Sequence, residues 1–445
     1  MNQQEEWLMP SKSEEELKFD VIVVGAGPAG TTAAYVLAKA GINVVIFERG
    51  KYPGSKNVMG GILYRKPTED IIPGFWKEAP LERNIIEQKI WILSKDSAVN
   101  VGYRSASFDK EPYNCFTVMR AHFDKWFADK AVEQGALLIN ETVVESLIKE
   151  NGKVIGVKTG REEGDVYADL VIIADGANSL LAKEAGFHPE IPPEKAALAV
   201  KDTISLPKEK IEERFNITHN QGVSIELIGQ ITQGMAGTGF IYTNKESISV
   251  GIGCLCSDFM KTGITPYDLI NQMESHPVIK PLIEGGEIKE YSAHLIPEGG
   301  YDAIPSLYGD GYLIAGDAAM LVNPVHREGS NYATTSGMSA ANTVIRAKER
   351  NDFSAKGLSH YKTLLEESFI MKDLKKYRRV SRFSVENSHM FSLYPEFINQ
   401  AAHEMITVDG VPKKEKQKKI WKLLKRKRSL TNLIKDAFNI WRSFK

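Results

Sequence analysis

Cysteine is scarce: Cys115, Cys254 and Cys256 are the only three in 445 residues. So few exclude a disulfide framework and fit a reducing compartment. They also fall short of the four thiolates that an iron–sulfur cluster borne by this chain requires. Cys254 and Cys256 stand two apart in an apolar, strand-like run, which places both on one face as small core residues rather than metal ligands. No metal site is expected. Long apolar runs are missing as well. The most apolar stretch, 21–47, is broken by several glycines, Pro28 and Lys39, and nothing else reaches about 18 uninterrupted apolar residues, so no transmembrane helix is expected. The opening 1–18 is acidic and polar, the reverse of a secretory signal, and a cytoplasmic location is expected.

Net charge is nearly absent too, at −1, while the apolar (42%) and charged (25%) fractions are those of an ordinary soluble protein. The balance hides an asymmetry. From Val411 to Lys445 there are thirteen Lys and Arg against two acids, a segment near +11 that leaves the remainder near −12.

What is present begins at the N-terminus. Phe19 to Val24 reads as a buried parallel strand running into Gly25-Ala26-Gly27-Pro28-Ala29-Gly30. A helical run, Thr31 to Ala40, follows, and Ile42 to Phe47 makes a second strand ending in Glu48-Arg49. This is strand, G-x-G-x-x-G, helix, strand, acid. Gly25 permits a tight turn, Gly27 lets backbone N–H groups approach a pyrophosphate, and Gly30 lets the helix pack on the strand. The helix N-terminus adds partial positive charge. Glu48, about 23 residues after Gly25, can accept ribose hydroxyls and would repel a 2′-phosphate, which disfavours NADP. NAD and FAD both remain open on this evidence.

Two later strands end in comparable turns. Leu170 to Ala174 runs into Asp175-Gly176-Ala177-Asn178-Ser179. Gly311 to Ala315 runs into Gly316-Asp317-Ala318-Ala319, then Asn323-Pro324 and Gly329-Ser330-Asn331 before a helix-compatible stretch to about Arg350. With these in order, the chain resembles the FAD enzymes built like aromatic hydroxylases. The resemblance implies that Asp317 accepts from the ribityl chain and that the Asp175-Gly176 turn closes near the dinucleotide. It also implies that Arg120, in Met119-Arg120-Ala121-His122-Phe123-Asp124, lies by the FAD phosphates, and that Val144 lies near the adenine. Gly329, Ser330 and Asn331 precede a helix whose N–H groups suit the flavin's N1 and C2 carbonyl. His326 and Arg327 share that loop and are the candidate side chains near the ring; the alternative for them is a solvated pair. No acid or base is assigned, because the flavin performs the chemistry.

A narrower resemblance rests on Gly54-Ser55-Lys56-Asn57-Val58-Met59-Gly60-Gly61-Ile62-Leu63-Tyr64, on Asn323-Pro324-Val325-His326-Arg327-Glu328-Gly329-Ser330-Asn331, on Tyr394-Pro395-Glu396 and on Met405 to Gly410. These are similar to the FixC/EtfC group, relatives of electron-transfer-flavoprotein:quinone oxidoreductase, over nearly the whole chain. The resemblance places Asn57, Gly60 and Gly61 in the cofactor loop beside Arg49. It implies electrons taken from an electron-transfer flavoprotein and passed toward membrane quinone, in some members within an electron-bifurcating complex. Larger relatives carry an iron–sulfur domain, for which this chain lacks both cysteines and length, so a separate ferredoxin-like iron–sulfur subunit is implied.

Rival readings use the same scaffold. A geranylgeranyl reductase would carry a Tyr/Trp-x-Phe-Pro signature, and the stretch from Gly239 to Lys245 has no such proline. An aromatic hydroxylase is possible on fold alone, and a non-catalytic FAD-holding docking subunit is the least favoured. Gly234 to Gly239 lacks the flanking pattern of a second nucleotide site and fits a sheet turn edging an apolar pocket.

The expected fold is α/β: a discontinuous, Rossmann-like FAD-binding domain over 18–80, 112–188 and 305–350. An antiparallel-sheet substrate or quinone domain covers 81–111 and 189–304, a helical region 351–410, and a basic amphipathic tail 411–445. In that tail Leu430, Leu433, Ile434, Ala437, Phe438, Trp441 and Phe444 recur at three- and four-residue spacing. A basic helix of this kind suits the anionic inner face of the cell membrane or an acidic subunit; nothing else in the chain suggests nucleic acid.

Overall fold

The computed structural model describes residues 18–56, 61–162 and 164–444. Its first sheet is built on five parallel strands in the order β17 (Tyr312–Ile314), β10 (Asp165–Ile173), β1 (Lys18–Val24), β2 (Val44–Phe47) and β7 (Leu137–Ile139). The antiparallel pair β8 (Val144–Glu150) and β9 (Lys153–Thr159) leads into β10, and β16 (Tyr308–Gly309) edges β17. Val21 to Val24 and Leu170 to Ile173 are buried throughout because this sheet is covered on both faces, which is why they read as continuous apolar runs. The helices Pro28–Lys39 and Ser330–Glu349 pack against each other over it.

The second sheet has nine strands. β15 (Glu287–Pro297), β11 (Ala196–Ser205), β14 (Ser247–Leu255), β13 (Gly237–Thr243), β12 (Gln221–Gly229), β4 (Leu81–Leu93), β6 (Cys115–Val118) and β3 (Ile62–Tyr64) lie side by side in that order. The ninth, β5 (Ala98–Arg104), pairs with β4 as a hairpin, and β12 runs parallel to β4. One face of this sheet is apolar: Val200, Ile225, Ile241 and Val250 bury against Ile211, Leu269 and Met273 of the helices Lys208–Phe215 and Pro266–Glu274. β3 and β6 belong to spans read from sequence as flavin domain, yet they hydrogen-bond into the second sheet. They are the crossings that join the two sheets.

The C-terminal part is helical. Leu393–Ile406 packs on β4 and β12, where Asn399 Nδ2 donates to the Ile92 carbonyl at 2.8 Å. Two departures from the sequence reading are local. Cys254 is a core residue of β14, but Cys256 opens the helix Cys256–Thr262, so the two cysteines do not share a strand face. The tail forms two helices, Lys413–Lys427 and Leu430–Phe444, with Arg428 between them in extended conformation. Among the described residues no helix is long and apolar enough to cross a membrane.

Candidate cofactor site

Strand register assembles the site. Val24 stands level with Phe47 and Ile173, Phe47 with Ile139, and Ile173 with Ile314. The residues that follow these strand ends therefore line one sheet edge: Gly25, Glu48, Asn140, Ala174 and Ala315. From β1 the chain proceeds through β2 and β7 on one side, then through β10 and β17 on the other. The edge between β1 and β10 is thus a topological switch point, where open parallel sheets hold their ligands.

The glycines there do different jobs. Gly25 has φ +97°, and a Cβ on it would stand 2.4 Å from the Ala174 carbonyl oxygen. A Cβ on Gly30 would stand 2.0 Å from the Gly25 oxygen. Gly27 is the reverse: a Cβ would meet nothing within 4 Å, and no side chain caps the helix that Pro28 begins. Bare backbone, open space and unsatisfied first-turn N–H groups suit an anionic group such as a pyrophosphate. Ala29 is hemmed in by Gly316 and Gly337, whose lack of Cβ atoms lets the second helix approach.

Glu48 is buried and accepts from Ala26 N at 3.0 Å and Gly50 N at 2.7 Å. These bonds pin the carboxylate and leave each oxygen a second lone pair for a ribose hydroxyl. Arg49 beside it is exposed. Thr142 N donates to the Glu48 carbonyl, which carries the chain past Glu48 to half-buried Val144 at the start of β8. Arg120 opens the helix Arg120–Glu133, is buried, and grips Asp124 through Nε and Nη2, both at 2.7 Å. Asp317 follows β17; burial pushes its carboxyl up to about 6, with the Arg120 guanidinium pulling the other way. Asp175 accepts from Leu181 N through one oxygen, Gly176 has φ +82° and Gly316 φ +66°.

Buried oxygens in this region, among them Asn140 Oδ1, Asp175 Oδ1 and Asn331 Oδ1, have no partner among the described residues. Bare buried acceptors suit the hydroxyl or N–H donors of a polar ligand. The donor set as a whole fits FAD.

The loop 323–329 closes the far end. Asn323 Oδ1 accepts from Val325 N and His326 N, which folds the chain back after Pro324. His326 Nε2 lies 2.9 Å from the Tyr377 hydroxyl, and Arg327, at φ +54°, pairs with Glu226 of β12. Gly329 caps the helix that Ser330 and Asn331 begin, and a Cβ on it would face open space. Gly61 meets the ring of Tyr242, since a Cβ there would stand 2.9 Å from it. Asn57 and Gly60 lie outside the described residues. The second sheet adds residues not singled out from sequence, Glu226 beside Arg327 and Tyr242 beside Gly61. Lys201 and His294 lie further along that sheet, on β11 and β15. Burial pushes the Tyr242 hydroxyl up to about 12 and, with Arg120 and Arg49, His294 down to about 4.

Residues 18–219 match a family model described as FAD binding domain, and 380–445 one described as ETF-QO/FixC family C-terminal domain. The chain is 53% identical over 427 residues to Protein FixC of Azotobacter vinelandii, covering 96% of this chain and 99% of that one. It is 41% identical over 422 residues to the probable electron transfer flavoprotein-quinone oxidoreductase YdiS of Escherichia coli strain K12, covering 94% and 97%. Among solved structures, a geranylgeranyl bacteriochlorophyll reductase-like protein from Thermoplasma acidophilum aligns with TM-score 0.71 at 23% identity, covering 94% and 99%. The flavin-dependent brominase Bmp2 aligns with TM-score 0.64 at 18% identity, covering 86% and 89%. At those identities the solved structures share the fold. The cofactor of this chain is FAD.

Proposed function

Because the chain belongs to the FixC/electron-transfer-flavoprotein–quinone oxidoreductase family, we propose that it takes electrons from an electron-transfer flavoprotein and delivers them to membrane quinone. It is an FAD-dependent electron-transfer oxidoreductase; the partners are the proposal. The observation that carries them is similarity over nearly the full length to a protein named for that donor and that acceptor.

Bound FAD supplies reversible electron exchange, and the chain supplies binding, orientation and access. Gly27 and the first turn of the Pro28–Lys39 helix receive the pyrophosphate, Glu48 the ribose, and Arg120 the phosphate charge. The site residues Asp175, Gly176, Gly316 and Asp317 hold the middle of the cofactor. Pro324, Gly329, Ser330 and Asn331 shape the ring end, with His326 and Arg327 the charged side chains of that loop. Electron transfer between carriers needs no dedicated acid or base beyond this.

The chain serves as the quinone-side subunit of an electron-bifurcating complex, and a ferredoxin-like subunit carries the iron–sulfur centre. Three cysteines support that division of labour, two of them buried. The protein sits peripherally on the cytoplasmic face of the membrane through 411–445. Supporting this, Ile434, Phe438 and Trp441 are exposed on the last helix beside a groove of about 540 Å³ that includes Lys376, Arg379 and Arg442.

Anaerobic reduction of the purified FAD-loaded chain tests the partners. The flavin should bleach with reduced electron-transfer flavoprotein and reoxidise with a quinone analogue. Rapid bleaching by NADH or NADPH alone overturns the partner-dependent reading.

A further inference from the structure

Register puts Lys201, Gly251, Phe240 and Glu226 in one row across β11, β14, β13 and β12, on the face of the second sheet turned away from its core. The opposite face should be apolar throughout, and on β11 it is not. Val200, Asp202 and Ile204 share that face, level with Ile252, Val250 and Ile248 of β14. The five apolar residues of this set all belong to the core. Asp202 stands among them, only 2% exposed. A lone carboxylate in such a place is costly, because burial penalises the ionised form unless a partner compensates it.

The Pro266–Glu274 helix packs across this face and buries Leu269, Ile270 and Met273 against β11 and β14. Its last residue, half-buried Glu274, brings a second carboxyl to Asp202, and the two side chains hydrogen-bond. Asp202 Oδ1 and Glu274 Oε1 are both buried, and among the described residues neither accepts from an N–H or a hydroxyl.

The elements around the pair bring no counter-charge. β14 offers Val250, and the Lys208–Phe215 helix offers Ile211 and Phe215 to the same core. β15 brings Tyr291, level with Asp202, whose ring meets Tyr267 of the Pro266–Glu274 helix edge-on at 5.8 Å. Burial, and then Asp202, push the Tyr291 hydroxyl up, so it stays neutral. His276, two residues beyond Glu274, is turned to the Ser94 carbonyl. Among the described residues no lysine, arginine or histidine pairs with either carboxylate.

Two carboxyl groups within hydrogen-bond reach strongly disfavour double ionisation. One proton converts their repulsion into a charge-assisted O–H···O bond. We propose that Asp202 and Glu274 share a single proton in the folded protein, and that this proton is a pH-sensitive latch holding the Pro266–Glu274 helix on the second sheet. Burial, with the charge of Asp202 next, pushes the Glu274 carboxyl up to about 7, whereas free carboxyls lose their protons at about 4. The stability that the latch adds is fully present below the unfolded value and is lost as pH rises through about 7. Losing the proton leaves two charges facing each other at the end of the helix, so the helix is the part that loosens. The inference uses neither the cofactor nor the electron partners.

Hydrogen–deuterium exchange of the full FAD-loaded chain tests it, resolved to the amides of 266–274 and corrected for the intrinsic pH dependence of exchange. In the wild type, protection of those amides should fall at least about tenfold between about pH 5.5 and pH 8.5. In Glu274→Gln the new amide donates to Asp202 at every pH, and the fall should shrink to within about threefold. Asp202→Asn makes the same exchange from the strand side. Wild-type protection that stays within about twofold over this range overturns the proposal. So does a full fall that survives in both variants. Should the variants not fold, the carbon-13 shift of the Glu274 carboxyl in the wild-type chain reads the same proton. Its midpoint should lie well above the ordinary carboxylate range, and a midpoint within that range overturns the proposal.

Discussion

At Asp317 desolvation and a neighbouring charge pull the same carboxyl in opposite directions. Asp317 is half-buried just after β17, and desolvation pushes its carboxyl from an ordinary value of 3.8 up to about 6 despite the nearby Arg120 guanidinium. A carboxyl that holds its proton more tightly folded than unfolded contributes stability that is fully present below its unfolded value. That contribution is lost as pH rises through about 6. The FAD-free protein should therefore be more stable at pH 5 than at pH 7.5 by roughly 1.4 kcal/mol from this group. Asp317→Asn should flatten that part of the profile while weakening FAD retention. Urea midpoints of the two FAD-free proteins at both pH values measure it, and an unchanged profile in Asp317→Asn would assign the titration to another buried acid such as Glu298, which burial pushes up to about 7.

At the scale of elements, the Pro28–Lys39 and Ser330–Glu349 helices approach closely, which brings the start of the first near the 323–329 loop that precedes the second. A Cβ on Gly337 would stand 2.2 Å from the Ala29 carbonyl oxygen, a backbone atom that cannot swing aside. Gly337→Ala should cost about 2–3 kcal/mol and loosen FAD, read as a lower urea midpoint and cofactor lost on gel filtration. A variant with full stability and full flavin content would show that the helices can part freely. Gly337 was not singled out in the sequence, whereas Gly25, Gly27 and Gly30 were. Those three sit within six residues, between a strand and a helix that are themselves readable. Gly337 acts on a residue some 300 positions away, and only the packed helices reveal it. The second sheet was opaque for the same reason. Lys201, Phe240 and Glu226 come from three strands, and their row exists only once β11, β14, β13 and β12 pair in register. Each alone reads as an ordinary residue of its strand. The 323–329 loop was legible as a motif, but its contact with β12 through Arg327 was not.

For the molecule as a whole, the near-zero net charge conceals an acidic body and a basic tail, and the structure changes how that tail should be tested. It is not a loose arm. Arg428 grips Asp436 through two bonds of 2.8 Å, and the Tyr394 hydroxyl adds a third at 2.6 Å. Burial opposes ionisation of Asp436, yet these partners hold its carboxyl down to about 2. Lys416 is likewise buried against Asp409 and the Thr407 carbonyl. At the end of the chain the Phe444 ring contacts Tyr377, whose hydroxyl bonds His326 of the cofactor loop. Cutting at Gly410 would strip away those partners, so lost binding could not be separated from lost structure. Ile434 and Phe438 offer a cleaner handle because they are 70% and 53% exposed on the outer face of the last helix. Among the described residues no carboxylate pairs with Lys376, Arg379 or Arg442 nearby, which leaves their charge available to an anionic surface. Replacing both apolar residues by serine removes roughly 2 kcal/mol of insertion each. Binding to phosphatidylglycerol vesicles should fall at least tenfold in flotation, while flavin content and the visible spectrum stay as in wild type. Undiminished flotation of the double variant would mean that the helix face does not enter the bilayer. Lost flotation together with altered flavin absorption would instead show that the tail is read at the cofactor loop, through Phe444, Tyr377 and His326.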